Sequence, residues 1–400
     1  MKSCIYRSDE SKQPCEFSLE HIVPRQLGGA LCDDLFKTRR VCVRCNTLCG
    51  LFVDGALLKS WFMMNRRAES ALGYVDLAGA SVLPLTYLGQ LRENPLGTSD
   101  VVEMWVGPSG DHVYHIHPTH DDRFMAYAGG NPTSKLQGSA ILFSRTTNPV
   151  WLPTSLLSFA SHFRKARRVL ANVVLQTRQP KIGELPDVRD QPWIEALGSL
   201  RGRPVPAEVK LQVGVEQRFL AKLALGLGHN LIGERFITSS YARLLHQALW
   251  EQDYEARSAL PVPWTSFFHP SGSMAEIIAW QGAVTIVLLP SKPYLVLVLC
   301  LFDATPLQIA ISDDPSVWED PVREAIGEQG SVRVLIPQRQ FFSGPIPLDV
   351  YLSERHKALG EERLALGRPA GIPILAQTRA WKTDLKDLPP FRIPAESAVA

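Results

Sequence analysis

Phe17-Ser18-Leu19-Glu20-His21-Ile22-Val23-Pro24 and Val41-Cys42-Val43-Arg44-Cys45-Asn46 are the two stretches from which the fold can be read. The first is a predicted strand, on which neighbouring side chains point to opposite faces, so Glu20 and His21 diverge unless the strand bends. Leu27-Gly28-Gly29 follows as a loop reversal. Cys42-Val43-Arg44-Cys45 is a C-x-x-C knuckle, whose tight turn lets two thiolates bind one Zn²⁺ at about 2.3 Å. Six of the seven cysteines, Cys4, Cys15, Cys32, Cys42, Cys45 and Cys49, crowd into the first 49 residues, and Cys300 lies in an apolar run as a core thiol. Such crowding suits a disulfide framework only in an exported chain. The first 20 residues lack the apolar stretch of an export signal, so reduced, metal-binding cysteines in a soluble, cytoplasmic protein are expected.

Taken in order, Cys4-Ile5-Tyr6, Glu20-His21-Ile22-Val23-Pro24, Gly28-Gly29, Val41-Cys42-Val43-Arg44-Cys45-Asn46, Gly50 and Asp54 resemble the HNH (ββα-metal) endonuclease family. The branch is the one with an E-H-I-x-P…G-G…V-C-x-x-C-N…G…D pattern. The resemblance covers about the first 60 residues, 15% of the 400. It implies that His21 is the general base and that Glu20 and Asn46 hold a catalytic divalent cation, Mg²⁺ or Mn²⁺. The chemistry agrees. Phosphodiester hydrolysis needs an activated water and neutralised phosphate charge, tasks suited to a histidine titrating near neutrality and to a hard cation on oxygen ligands. Asn46 also reads as a turn residue behind the knuckle, and Asp54 as a cap or solvated residue at a helix start.

The family's first knuckle is a second C-x-x-C, whereas this chain reads Cys4-Ile5-Tyr6-Arg7. A structural Zn²⁺ on Cys4, Cys42 and Cys45 then takes its fourth ligand from Cys15, in the same loop, with Cys49 and Cys32 as alternatives. Loss of the zinc in favour of hydrophobic packing is the remaining option.

Across the whole chain 42 basic residues meet 40 acidic ones, so net charge says little about partners. Its distribution says more. Residues 1–67 hold eleven basic and seven acidic residues, and the resemblance places Arg39 and Arg40 on a strand facing nucleic acid. From Arg123 to Gly183 there is no acidic residue. There Ser161 to Gln176 reads as a helix with Arg164, Lys165, Arg167 and Arg168 off its apolar face. Phosphate contact is expected of these six residues, the alternative for the segment being a basic face packed on an acidic neighbour. His112, His115, His117 and His120 cluster nearby. On a strand His115 and His117 share one face and could bind a metal, but without a defined geometry they are not assigned to a site.

The remainder reads as α+β. Gln217–Leu227 is an amphipathic core helix, and Glu216–Leu225 also resembles a downstream helix in HNH proteins of similar length. Ser239–Tyr254 is a second helix, Ala275–Ala304 supplies three strands, and Val332–Ile336 another. Pro290-Ser291-Lys292-Pro293 splits the most apolar run into two segments too short to span a bilayer as helices.

The expected fold class is therefore α+β: an N-terminal ββα-metal (HNH) unit with a zinc knuckle over 1–67, followed by a larger α+β region. That region divides into a mixed α/β part with the basic helix (68–200), an α+β C-terminal domain (201–378) and an extended or disordered tail (379–400). The expected function is a metal-dependent endonuclease acting on DNA, with RNA compatible. The alternatives are a non-catalytic zinc-knuckle module binding nucleic acid, and a nuclease gated by a ligand-sensing C-terminal domain. No membrane partner is expected, and homo-oligomerisation is compatible with the sequence.

Overall fold

A computed structural model describes residues 3–7, 15–75, 81–118, 137–145, 147, 151–173, 181–209, 211, 213–265, 267, 277–302 and 306–355. The tail expected over 379–400 and His120 lie outside them. The architecture is mixed α+β. Two compact units emerge: residues up to Leu57 fold with those from Val213 on, and Leu58–Gln212 form the second unit. The boundaries expected at 67 and 200 are thus replaced. The N-terminal segment is part of a core completed by residues more than 150 positions away.

In the first unit, β1 (Phe17–His21) pairs antiparallel with β2 (Lys37–Cys42), and α1 (Val43–Cys49) follows directly. Glu20 faces Thr38 and His21 faces Lys37, with a register shift between Ser18 and Glu20. Helical backbone continues through a wider turn at Gly50–Asp54 into Gly55–Leu58.

The second unit carries α2 (Trp61–Gly73), then β3 (Thr86–Leu91), β4 (Asp100–Val106), β5 (His112–Pro118) and β6 (Ser139–Phe143). After α3 (Trp151–His162) come β7 (Arg167–Leu170), α4 (Gln191–Leu200) and the short β8 (Ala207–Glu208). The six strands form one sheet in the order β7-β6-β5-β4-β3-β8, parallel only between β6 and β7. One face packs Trp105, Val113, Phe159 and Phe163, and the other Met104, Tyr114, Phe143 and Leu197.

Over its described residues, the helix expected at 161–176 does not form. α3 ends at His162, and Arg167–Leu170 is a strand. Val169 and Leu170 are buried on opposite faces of the sheet. A strand covered on both sides has no polar alternation, so its apolar run mimics part of a helical stripe.

Returning to the first unit, α5 (Val215–Ile232) is buried on nearly every side, against the neighbouring α6 (Ser240–Trp250), β11 (Leu307–Ser312) and α7 (Pro315–Ile326). The strands β9 (Val284–Ser291), β10 (Tyr294–Leu301), β11, β12 (Ser331–Ile336) and β13 (Phe341–Pro347) form an antiparallel sheet ordered β11-β10-β9-β12-β13. β9 and β10 make the expected hairpin, while the third strand of that region begins only at Leu307.

The loop between β1 and β2 is fastened to this core. The Arg333 guanidinium meets Asp33 at 3.3 Å and lies over the Phe36 ring. Asn230 donates to the carbonyls of Leu35 and Lys37 at 2.8 and 2.9 Å. At Gly226 a Cβ would stand 2.8 Å from Ile22 Cγ1, so only glycine lets the end of β1 seat against α5. Among the described residues no single helix is long and apolar enough to cross a membrane.

Candidate functional site

Cys4 is placed by main-chain and side-chain anchors on both sides. Ile5 N–H donates to Arg40 O at 2.9 Å, the Ile5 carbonyl faces His246 Nε2 at 2.8 Å, and Trp250 Nε1 donates to Tyr6 O at 2.7 Å. The Sγ atoms of Cys4, Cys42 and Cys45 consequently lie within 4.8 Å of one another, all buried. Four thiolates at about 2.3 Å from one Zn²⁺ are about 3.8 Å apart, so this spacing suits a shared ion. Backbone N–H groups support the sulfurs: Cys42 N donates to Cys4 Sγ at 3.3 Å and Cys45 N to Cys42 Sγ at 3.4 Å. The Cys45 thiol donates to Cys4, which, with the Cys42 N–H and against burial, lowers the Cys4 pKa to about 6, while Cys45 is pushed up. One thiolate is thus favoured and the next opposed by its neighbour, as expected where a cation is wanted. The Cys4-Cys42-Cys45 group can hold a metal ion.

Cys15 neighbours Cys42 and Cys4, its segment held by Val43 N–H donating to Glu16 O at 2.8 Å, but it lies outside the group of three sulfurs that stand within 4.8 Å of one another. Its thiol pKa is raised, first by burial and then by the neighbouring Cys42 and Cys4. The two alternatives point elsewhere. Cys32 is buried against Asp33 and Arg333, Cys49 on the side of Lys222 and Asp54, and burial above all raises both.

Glu20 and Asp54 meet where the sequence reading did not anticipate. Glu20 is 4% exposed, and its Oε1 lies 2.7 Å from Nζ of Lys222, which is fully buried on α5. The same ammonium is 2.8 Å from Asp54 Oδ2 and donates to Ile22 O at 3.2 Å. Burial alone would depress Lys222, but the two carboxylates outweigh it and hold its pKa up. Burial raises Asp54 to about 6 despite the ammonium. Asp54 is therefore a partner in a buried charge triad, where a cap or solvated residue was expected. Lys222 is the residue that sequence reasoning missed. Its signal was a lone cation inside Phe219-Leu220-Ala221-Lys222-Leu223-Ala224-Leu225, since a lysine in a wholly apolar helix needs buried counter-charges.

This changes the role implied for Glu20. A cation already sits on its carboxylate, and that cation belongs to the chain. Asn46 turns its amide nitrogen onto β1, donating to Ser18 Oγ at 2.9 Å and Leu19 O at 3.2 Å. Glu20 and Asn46 thus do not fit a shared catalytic Mg²⁺ or Mn²⁺ in this arrangement.

His21, at the end of β1, is half-buried, and its carbonyl lies 3.5 Å from the Lys222 ammonium. Its pKa is lowered, first by burial, then by Arg25, with Lys37 and Lys222 adding and Glu20 opposing. These effects favour the neutral imidazole, the form that accepts a proton.

The six basic residues divide. Arg39 is exposed, whereas Arg40 pairs with Glu234 at 2.6 Å. Arg164 and Lys165 are exposed. Arg167 is clasped by Asp190 at 2.5 Å, Asp187 at 3.2 Å and Glu184 at 3.3 Å. Arg168 donates to the carbonyls of Ile182, Phe163 and Lys181. Arg167 and Arg168 therefore brace β7 against the segment before α4. Replacing Arg167 with Ala should destabilise the second unit by about 1–3 kcal/mol, because nearly buried Asp190 loses its partner. Chemical denaturation measures this directly.

No family model, curated protein or solved structure matches this chain.

Proposed function

We propose that the chain is an HNH-type endonuclease that hydrolyses phosphodiester bonds in DNA, with His21 as general base. The observation that carries this reading is the half-buried His21 at the end of β1, where burial and the cations Arg25 and Lys37 favour the neutral ring. The strand–strand–helix order of β1, β2 and α1 around it supports the reading. In the hydrolytic step water oxygen bonds to phosphorus, its proton passes to His21, and the bond to the leaving oxygen breaks. Arg25 and Lys37 supply positive potential towards the phosphate. Arg39, Arg164 and Lys165 are the exposed cations assigned to DNA backbone. Neutralising Arg164 and Lys165 together should make the slope of log K against log salt shallower by about 0.9 per lost contact. An unchanged slope would remove them from the binding surface.

We assign Zn²⁺ to Cys4, Cys15, Cys42 and Cys45 as a structural ion, since an all-thiolate set selects it. Thiols kept reduced suit a cytoplasmic setting. Cys42→Ser should lose about one zinc per chain and melt earlier. Because protons compete for thiolates, the zinc content of the wild type should fall as the solution is acidified. Equal zinc content and melting in wild type and Cys42→Ser would remove the ion.

The deciding experiment is incubation of supercoiled plasmid with the protein and Mg²⁺ or Mn²⁺, with EDTA in parallel, which reads the cation dependence directly. Nicking by wild type supports the reading. Binding without nicking under every cation favours the second reading, a non-cutting thiol-cluster module, whose supporting observation is the Lys222 ammonium seated on Glu20.

A further inference from the structure

The second unit holds a cluster unrelated to the cysteines. Glu103 on β4 and His115 on β5 are direct cross-strand partners, and His117 lies two residues along on the same face. Their ligand atoms fall within 4.8 Å of one another, and the residues are 7%, 0% and 8% exposed. His115 Nδ1 is 2.9 Å from Glu103 Oε2, and His117 Nε2 is 3.9 Å from Glu103 Oε1. The opposite nitrogen of each ring reaches a main-chain carbonyl: His115 Nε2 is 2.6 Å from Gln137 O, and His117 Nδ1 is 3.0 Å from Pro118 O.

A carbonyl oxygen only accepts, so each ring carries a proton on the carbonyl side. In the neutral tautomers this fixes, the lone pairs of His115 Nδ1 and His117 Nε2 converge on the Glu103 carboxylate. Two lone pairs and a carboxylate directed at one another in a buried site suit a cation held between them. Tyr87 hydrogen-bonds Glu103 from β3 and steadies the carboxylate. Histidines oriented through the far nitrogen by backbone carbonyls, beside a hydrogen-bonded carboxylate, are the arrangement that surrounds metal ligands.

We propose that Glu103, His115 and His117 bind one divalent first-row transition ion, such as Zn²⁺. Imidazole nitrogens with a single carboxylate suit Zn²⁺, Co²⁺, Ni²⁺ or Fe²⁺, whereas Mg²⁺ and Ca²⁺ select oxygen-only shells. The ion ties β4 to β5 within the sheet, on the side of Trp105 and Phe163. The competing arrangement places an extra proton on the cluster as an imidazolium–carboxylate pair, which takes up no metal.

The test uses the full chain and Co²⁺ alone as probe. Wild type should take up one Co²⁺ that Glu103→Gln, a nearly isosteric change, does not, and any thiolate-to-cobalt absorption should be equal in both. Cys42→Ser should keep this ion, visible as d–d absorption without a thiolate band, and Zn²⁺ should displace it. His117→Gln should repeat the loss, and far-ultraviolet circular dichroism checks that each variant is folded. Equal Co²⁺ uptake by wild type and folded Glu103→Gln would overturn the proposal in favour of the protonated pair. Because comparison of wild type with Glu103→Gln does not involve the cysteines, the outcome is independent of the zinc assignment and of nuclease activity.

Discussion

Lys222→Met should destabilise the first unit by about 3–5 kcal/mol, the cost of leaving buried charges without their partner. The substitution preserves length and apolar packing in α5 but strands Glu20 and Asp54, which share the ammonium at 2.7 and 2.8 Å. Denaturant unfolding of the full chain measures the loss. A triple variant with Glu20→Gln and Asp54→Asn should recover most of it, because removing all three charges also removes their desolvation cost. A loss below about 1 kcal/mol for Lys222→Met would mean that the triad is hydrated and carries little energy.

The same triad predicts a pH dependence. Folding raises Asp54 to about 6, chiefly through burial, while an unfolded aspartate titrates near 3.9. The folded state therefore keeps a proton that the unfolded chain has released. Asp54's contribution is fully present below about 4 and declines as pH rises through about 6. Asp54→Asn should flatten that interval, read from denaturation midpoints across the range.

The second large effect is on catalysis. His21→Ala should slow plasmid nicking by ~10²–10⁴ while DNA affinity stays within a few fold, because a general base acts on the transition state and contributes little to binding. The residual activity should also lose its acid limb. In wild type that limb should lie below the ordinary histidine range, since burial and Arg25 favour the neutral ring. Wild-type nicking rates in the folded variant would end the catalytic assignment of His21.

Elements whose pattern is local could be read in the sequence. The strand at Glu20-His21, the knuckle, the hairpin around Pro290 and Pro293 and the long helix near 217 depend on neighbours a few residues apart, and all four are present. Cys15 was suggested by the loop it shares with Cys4, whereas the three sulfurs that lie together are those of Cys4, Cys42 and Cys45. What could not be read depends on distant partners. Glu20 looks the same in sequence whether it faces a metal or a lysine 202 positions away, and only the seating of β1 against α5 decides. Arg167 looked like part of a basic face because its acidic partners, Glu184, Asp187 and Asp190, follow just after the acid-free stretch ends. The His115–His117 pair was visible as a shared strand face. The carboxylate that gives it geometry sits on the neighbouring strand, and register is not written in either stretch alone.

The interrupted first unit also bears on how the chain is made. Asp54 leaves the ribosome 168 residues before Lys222, an interval of roughly 10–30 s at about 5–20 residues per second. During that interval the nascent N-terminal segment carries Glu20 and Asp54 without their counter-charge, and its six cysteines have no finished core around them. The residues of the intervening unit are all synthesised in that time, so it can mature first while the ends of the chain wait for each other. A truncated transcript that stops before α5 would therefore yield thiols and carboxylates with no fold to enclose them, and such a fragment would be a substrate for proteolysis.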